Sequence, residues 1–124
     1  MKEAKKRGID KHRLIFANKT SSEVHLKRLK FIDLYLDTFP YGAHTTASEA
    51  IRMGIPVLTI MGKSFASRVA SSILINVGLS ELITNNILEY TNTAIDLALS
   101  KNKIKNLKNH LKNQENLDNL FNSK

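Results

Sequence analysis

His44, Thr45 and Thr46 stand in a row, and Glu49 follows Thr45 by one helical turn. They open a helix bracketed by two strands in DLYLDTFPYGAHTTASEAIRMGIPVLTI, residues 33 to 60. At a helix start the first main-chain N–H groups have no partner and the helix dipole is positive, so an imidazole and two hydroxyls there favour a phosphate. The competing structural reading makes Thr45 or Thr46 an N-cap, with Glu49 completing a capping box. Both readings draw on the same donors.

Other chemistries are poorly served. Gly62-Lys63-Ser64 fails as a phosphate-binding P-loop, because the glycine that should stand five residues before Gly62 is Val57, inside a strand. The four histidines, His12, His25, His44 and His110, lack zinc-site spacing, and there is no cysteine. No metal is expected. A nucleophile elbow of the Gly-x-Ser-x-Gly kind is missing as well. Arg68, in FASRVASS, is read as a structural partner for Asp37 or Glu49 and not as a catalytic group.

The elements that must position these residues alternate along the chain. Residues 2 to 8 read as a helix stopped by Gly8, RLIFA (13 to 17) as a short strand, and residues from Ser21 or Ser22 to about Phe31 as a capped helix with Glu23 in its first turn. Leu34 to Asp37 is the next strand, Thr45 to Met53 a helix ended by Gly54, and Pro56 to Ile60 a strand. Phe65, Val69, Ile73 and Val77 recur at four-residue steps, which predicts a helix from Ser64 to Val77 stopped by Gly78. A short strand at Leu82 to Thr84, an amphipathic helix from Ile87 to Leu99 and a weaker one from Ile104 to Leu111 complete the pattern. Strands that are continuously apolar and alternate with helices predict an α/β fold, a parallel sheet covered by helices on both faces. In such sheets ligands lie beyond the carboxyl ends of the strands, where the loop after Asp37 and the His-Thr-Thr turn fall.

The chain has 124 residues, enough for one small domain, and its 42% hydrophobic content is sufficient for a core. Residues 1 to 112 are read as that domain and 113 to 124 as a polar tail. The charged start lacks the apolar run of a signal peptide, and no stretch is long and apolar enough to span a bilayer, so a soluble cytoplasmic protein without a membrane partner is expected. The net charge of +8 would collect polyanions generally. Much of it lies at the two ends, without interleaved aromatics for base stacking, so a basic nucleic-acid-binding α/β protein is the weakest reading and no specific nucleic-acid partner is expected.

The run LDTFPYGAHTTASEAIRMGIPVLTIMGKSFASRVASSILINVGLSELI, with RLIFANKTSSEVHLKRLKFIDLYLDT before it, resembles the C-terminal catalytic region of the O-linked N-acetylglucosaminyltransferases, the TPR-associated, SPINDLY-like family. NLFN near the end is similar to that family's closing segment. The Glu49 to Val57 pattern E-A-x-x-x-G-x-P-V is shared with GT-B glycosyltransferases at large. The resemblance implies the later part of a Rossmann-like GT-B C-terminal domain, and an inverting transfer of N-acetylglucosamine (GlcNAc) from UDP-GlcNAc to protein Ser or Thr. It further implies that His44, Thr45 and Thr46 hold the diphosphate, that Glu49 binds the ribose hydroxyls and that His25 and Arg28 line the uridine pocket. Eukaryotic members carry Asp where Glu49 stands and Lys where Ser22 stands. The family's acceptor side, its proposed base and a phosphate-neutralising lysine lie upstream of what matches Met1, which leaves no catalytic residue in this chain and makes the upstream GT-B half or TPR region a partner. A truncated, non-catalytic nucleotide-binding fragment is the alternative.

Overall fold

The computed structural model describes residues 1–42 and 44–113. A short helix α1, Lys2–Lys6, ends before Gly8, whose positive φ of 71° only glycine adopts freely. A single 3-10 turn follows at Lys11–Arg13, the Asp10 carboxylate accepting the His12 N–H at 2.9 Å. The expected strand at 13 to 17 does not form. Among the described residues no strand lies beside it, and Ile15 and Phe16 are 90% and 72% exposed. An apolar run becomes a strand only where a neighbour completes its ladder.

Helix α2, Ser22–Leu29, starts where Ser21 accepts the Val24 N–H at 3.4 Å, and Glu23 pairs with Lys27 across one turn at 2.9 Å. Strand β1, Tyr35–Leu36, leads through a turn containing a cis Phe39–Pro40 bond into α3, Thr45–Arg52. Gly54 then reverses the chain at φ 80° into β2, Val57–Ile60. Helix α4, Val69–Asn76, ends likewise at Gly78, and a 3-10 turn at Ser80–Leu82 delivers β3, Ile83–Thr84. Helices α5, Ile87–Leu99, and α6, Lys101–Lys112, follow, capped by Asn86 and Ser100.

The expected parallel sheet is present, in the order β1-β2-β3. Tyr35 and Leu36 pair with Val57 and Leu58, and Thr59 and Ile60 with Ile83 and Thr84. Successive strand side chains point to opposite faces, and every residue of β2 is buried, so both faces of the central strand are covered. Helices α3, α4 and α5 all pack on β2, α3 also against α4 and α5 against α6. Ile51, Leu58, Leu74, Leu79, Leu82 and Leu111 are the largest apolar side chains sealed in this core. Helix α6 is pinned from outside it. His110 Nε2 donates to the Val77 carbonyl at 2.7 Å, and Lys108 pairs with Asp33 at 2.9 Å.

The helix expected from Ser64 is shorter than its apolar spacing implied. Residues 64 to 68 form turns, because the Ser64 hydroxyl accepts the Ser67 N–H and the Ser67 hydroxyl donates to the Ser64 carbonyl. Local hydroxyl bonds of this kind satisfy the backbone without a helix. Among the described residues no helix is long and apolar enough to cross a membrane. The family-like NLFN segment and most of the polar tail lie outside the described residues.

Candidate functional site

Three of the residues read from the sequence meet between α2 and α3. His25 Nε2 stands 3.9 Å from Glu49 Oε2, and Arg28 Nη2 lies 3.3 Å from His25 Nδ1 while its Nη1 donates to the Asn18 carbonyl at 2.9 Å. A guanidinium only donates, so Nδ1 is the acceptor and the ring N–H sits on Nε2, facing the carboxylate. His25 and Glu49 are about a third exposed, open to a ligand on the outer side of the pair. Arg68, read as a structural partner of Glu49 or Asp37, instead stands exposed at the start of α4, and Glu49 takes His25.

One turn before Glu49 is the start of α3. His44 is the N-cap residue, with φ −102° and ψ −87°, and its side chain makes no capping bond. The capping-box reading is therefore not what the helix adopts, and the first-turn amides keep their donor capacity. Thr45 is exposed, whereas Thr46 is half-buried with its hydroxyl against the Tyr35 phenol. The ring of His44 meets that of Phe65 edge to face, centroids 6.4 Å apart at 77°.

The turn under His44 is built on Asp37, which is only 5% exposed at the end of β1. Its carboxylate accepts from Thr59 Oγ1 at 2.8 Å and from the Thr38 N–H at 2.9 Å, and its carbonyl accepts from the Tyr90 hydroxyl at 2.7 Å. Gly42 packs against the same carboxylate: a Cβ there would stand 3.0 Å from Asp37 Oδ2 and 3.2 Å from the Ala66 carbonyl. At Gly62 a Cβ would fall 2.3 Å from Ser67 Oγ and 3.3 Å from Phe39. The two loops that follow β1 and β2 thus interlock with no room for side chains at those glycines. Burial, and then the charge of Asp37, raise the pKa values of Tyr35 and Tyr90 above the usual tyrosine value. Thr46 partly opposes the shift at Tyr35, and Tyr35 adds to that at Tyr90.

Sequence reasoning missed Asp37 as the anchor of the turn, Asn18 as the backbone brace of Arg28, and Phe65 as the neighbour of His44. An acid closing an apolar strand, as in LYLD, is the available signal for the first. Backbone carbonyls leave none. A groove of about 790 Å³ between the β1 edge and helices α5 and α6 contains none of the site residues.

A parallel sheet with an unclosed helix start, a basic and acidic cluster one turn further on and interlocked glycine loops at the strand ends defines an α/β protein of the doubly covered, parallel-sheet class, with its candidate site beyond the carboxyl ends of the strands. More narrowly, the chain belongs to glycosyl transferase family 41, whose model matches residues 1–124. It is 34% identical over 102 residues to the UDP-N-acetylglucosamine--peptide N-acetylglucosaminyltransferase of Caenorhabditis elegans, covering 82% of this chain and 9% of that protein. A probable SPINDLY enzyme of the same name from Solanum lycopersicum is 39% identical over 88 residues, covering 71% of this chain and 10% of that protein. Among solved structures, a mutant O-GlcNAc transferase of Thermobaculum terrenum superposes with a TM-score of 0.85 at 34% identity, over 90% of this chain and 21% of that one. The chain therefore spans about a tenth of these curated relatives, and its fold is that expected of the later part of a Rossmann-like GT-B C-terminal domain.

Proposed function

We propose that this chain is the donor-binding part of an inverting glycosyltransferase that takes UDP-GlcNAc and transfers GlcNAc to Ser or Thr hydroxyls of proteins. The observation that carries the reading is the meeting of His25, Arg28 and Glu49 one turn from the unclosed start of α3. Arg28 and His25 would line the uridine, Glu49 accept the ribose hydroxyls, and His44, Thr45 and Thr46 with the first amides of α3 hold the diphosphate. As the acceptor hydroxyl attacks the anomeric carbon, charge builds on departing UDP. Fixed N–H and imidazole donors at that point stabilise the transition state more than the ground state. The reading invokes no metal and no catalytic base within residues 1–124, and it places the acceptor side on further polypeptide of the GT-B half or TPR region. The names of the relatives, each a UDP-N-acetylglucosamine--peptide transferase, support the donor and acceptor classes.

Calorimetric titration with UDP tests the site. His44→Ala should weaken binding by about 1 to 3 kcal/mol, the cost of losing a hydrogen bond to a charged group. Unchanged affinity in a folded variant removes His44 from the phosphate site. A transfer assay separates the enzyme reading from the non-catalytic alternative: the chain alone should not turn over, since positioning both reactants contributes roughly 7 to 11 kcal/mol. Activity on adding the acceptor-side polypeptide supports the enzyme, and persistent inactivity with intact UDP binding favours the nucleotide-binding module.

A further inference from the structure

Phe65 is 82% exposed, an unusual position for a benzyl ring, and lies outside the core. Its loop is nevertheless fixed. Ser67 bonds back to Ser64 at 2.9 Å through its hydroxyl, and the Gly62 N–H donates to the Ser67 carbonyl at 3.4 Å. The Ala66 carbonyl lies against Gly42, two residues before His44. The ring that this loop presents touches His44, and edge-to-face aromatic pairs favour one relative orientation. No hydrogen bond of the His44 side chain is present among the described residues, and its imidazole has an edge-to-face ring contact with Phe65.

We infer that Phe65 is a positioning residue for the donor site: it does not touch the phosphates but holds the His44 ring with a nitrogen toward the open start of α3. The inference rests on the donor-site reading and assigns the loop after β2 a part in it. A side chain free to rotate about two torsions loses entropy on binding, whereas one already held by a neighbour loses less. Removing the ring should therefore weaken the ligand through His44 and by no other route.

The test is a double-mutant cycle on the full chain, with UDP affinity read by calorimetry and the His44 ring protons read by NMR without ligand. Phe65→Ala should weaken UDP about three- to tenfold, the affinity equivalent of one such aromatic pair. In a His44→Ala background it should add nothing, and Phe65→Tyr should keep wild-type affinity. Additive losses, or a Phe65→Ala variant that binds UDP as well as wild type while His44→Ala does not, overturn the inference. The NMR arm is independent of the donor reading, since the aromatic ring current reaches His44 whether or not UDP binds. His44 proton shifts that move in Phe65→Ala and return in Phe65→Tyr support the positioning role, and shifts that stay put overturn it. A protein that passes the NMR arm and binds no UDP retains the clamp and loses the donor assignment.

Discussion

Arg28 carries two jobs through one planar group, bracing the chain at Asn18 and fixing the tautomer of His25. A lysine offers a point charge on a flexible stem and reproduces neither fork. Arg28→Lys should thus lose most of the UDP affinity that Arg28→Ala loses, about 1 to 3 kcal/mol, measured by calorimetry on variants of matched thermal stability. A lysine variant with wild-type affinity would reduce Arg28 to a simple positive charge. Tyr90 gives a second residue-level expectation. Its phenol has a raised pKa in the folded chain, by burial first and by the Asp37 charge next. The sign follows from linkage: below pH about 10 both states are protonated and the contribution is complete, and above it the unfolded chain ionises first. Stability should fall as pH rises beyond about 10, and Tyr90→Phe should fall less steeply, as read by denaturant midpoints across an alkaline series.

At the scale of elements, α4 holds a buried hydroxyl with no hydrogen-bond partner among the described residues, Ser71 Oγ. An unmet buried hydroxyl costs about 1 to 3 kcal/mol, so Ser71→Ala should leave stability unchanged or raise it, by equilibrium unfolding. A loss beyond about 1 kcal/mol would mean that the hydroxyl is satisfied after all. The elements also show what could be read in advance. Gly54 and Gly78 ended their helices as their type demands, and the unbroken apolar run of β2 announced a strand buried on both faces. The four-residue recurrence of Phe65, Val69, Ile73 and Val77 misled, since serine hydroxyls at 64 and 67 outcompete the helix and leave Phe65 facing solvent. RLIFA misled in another way: β propensity is a fit to a half-buried pleated surface, and among the described residues no strand pairs with it. At the site, His44 and Glu49 were marked by their place on α3, whereas His25 and Arg28 came from family resemblance, because contact between α2 and α3 is a tertiary fact that spacing within either helix does not encode.

On the scale of the whole molecule, apolar surface lies where the sheet stops. Among the described residues only the β2 side of β1 is paired, Leu36 of β1 is 53% exposed, and the 790 Å³ groove has an apolar floor that includes Leu34, Leu97 and Ile104. An open, apolar strand edge is a template for association. Residues 1–124 should self-associate with rising concentration in sedimentation velocity, and Leu36→Lys should suppress this, since a charge on an edge strand opposes pairing. Equal association of the variant would move the contact elsewhere, to Ile15 and Phe16 first.

The pairing of His25 with Glu49 also bears on the order in which the molecule assembles. It closes a loop of 24 residues, by the difference of their numbers, whereas the Asp33–Lys108 pair joins positions 75 apart. Loop-closure entropy makes the longer span costlier by about 1 kcal/mol. The candidate site between α2 and α3 is made of near neighbours, and the long-range strut from α6 joins a part of the chain whose local contacts are cheaper to form. Translation reinforces that sequence of events, since the stretch from α2 to α3 emerges from the ribosome more than 50 residues ahead of Lys108.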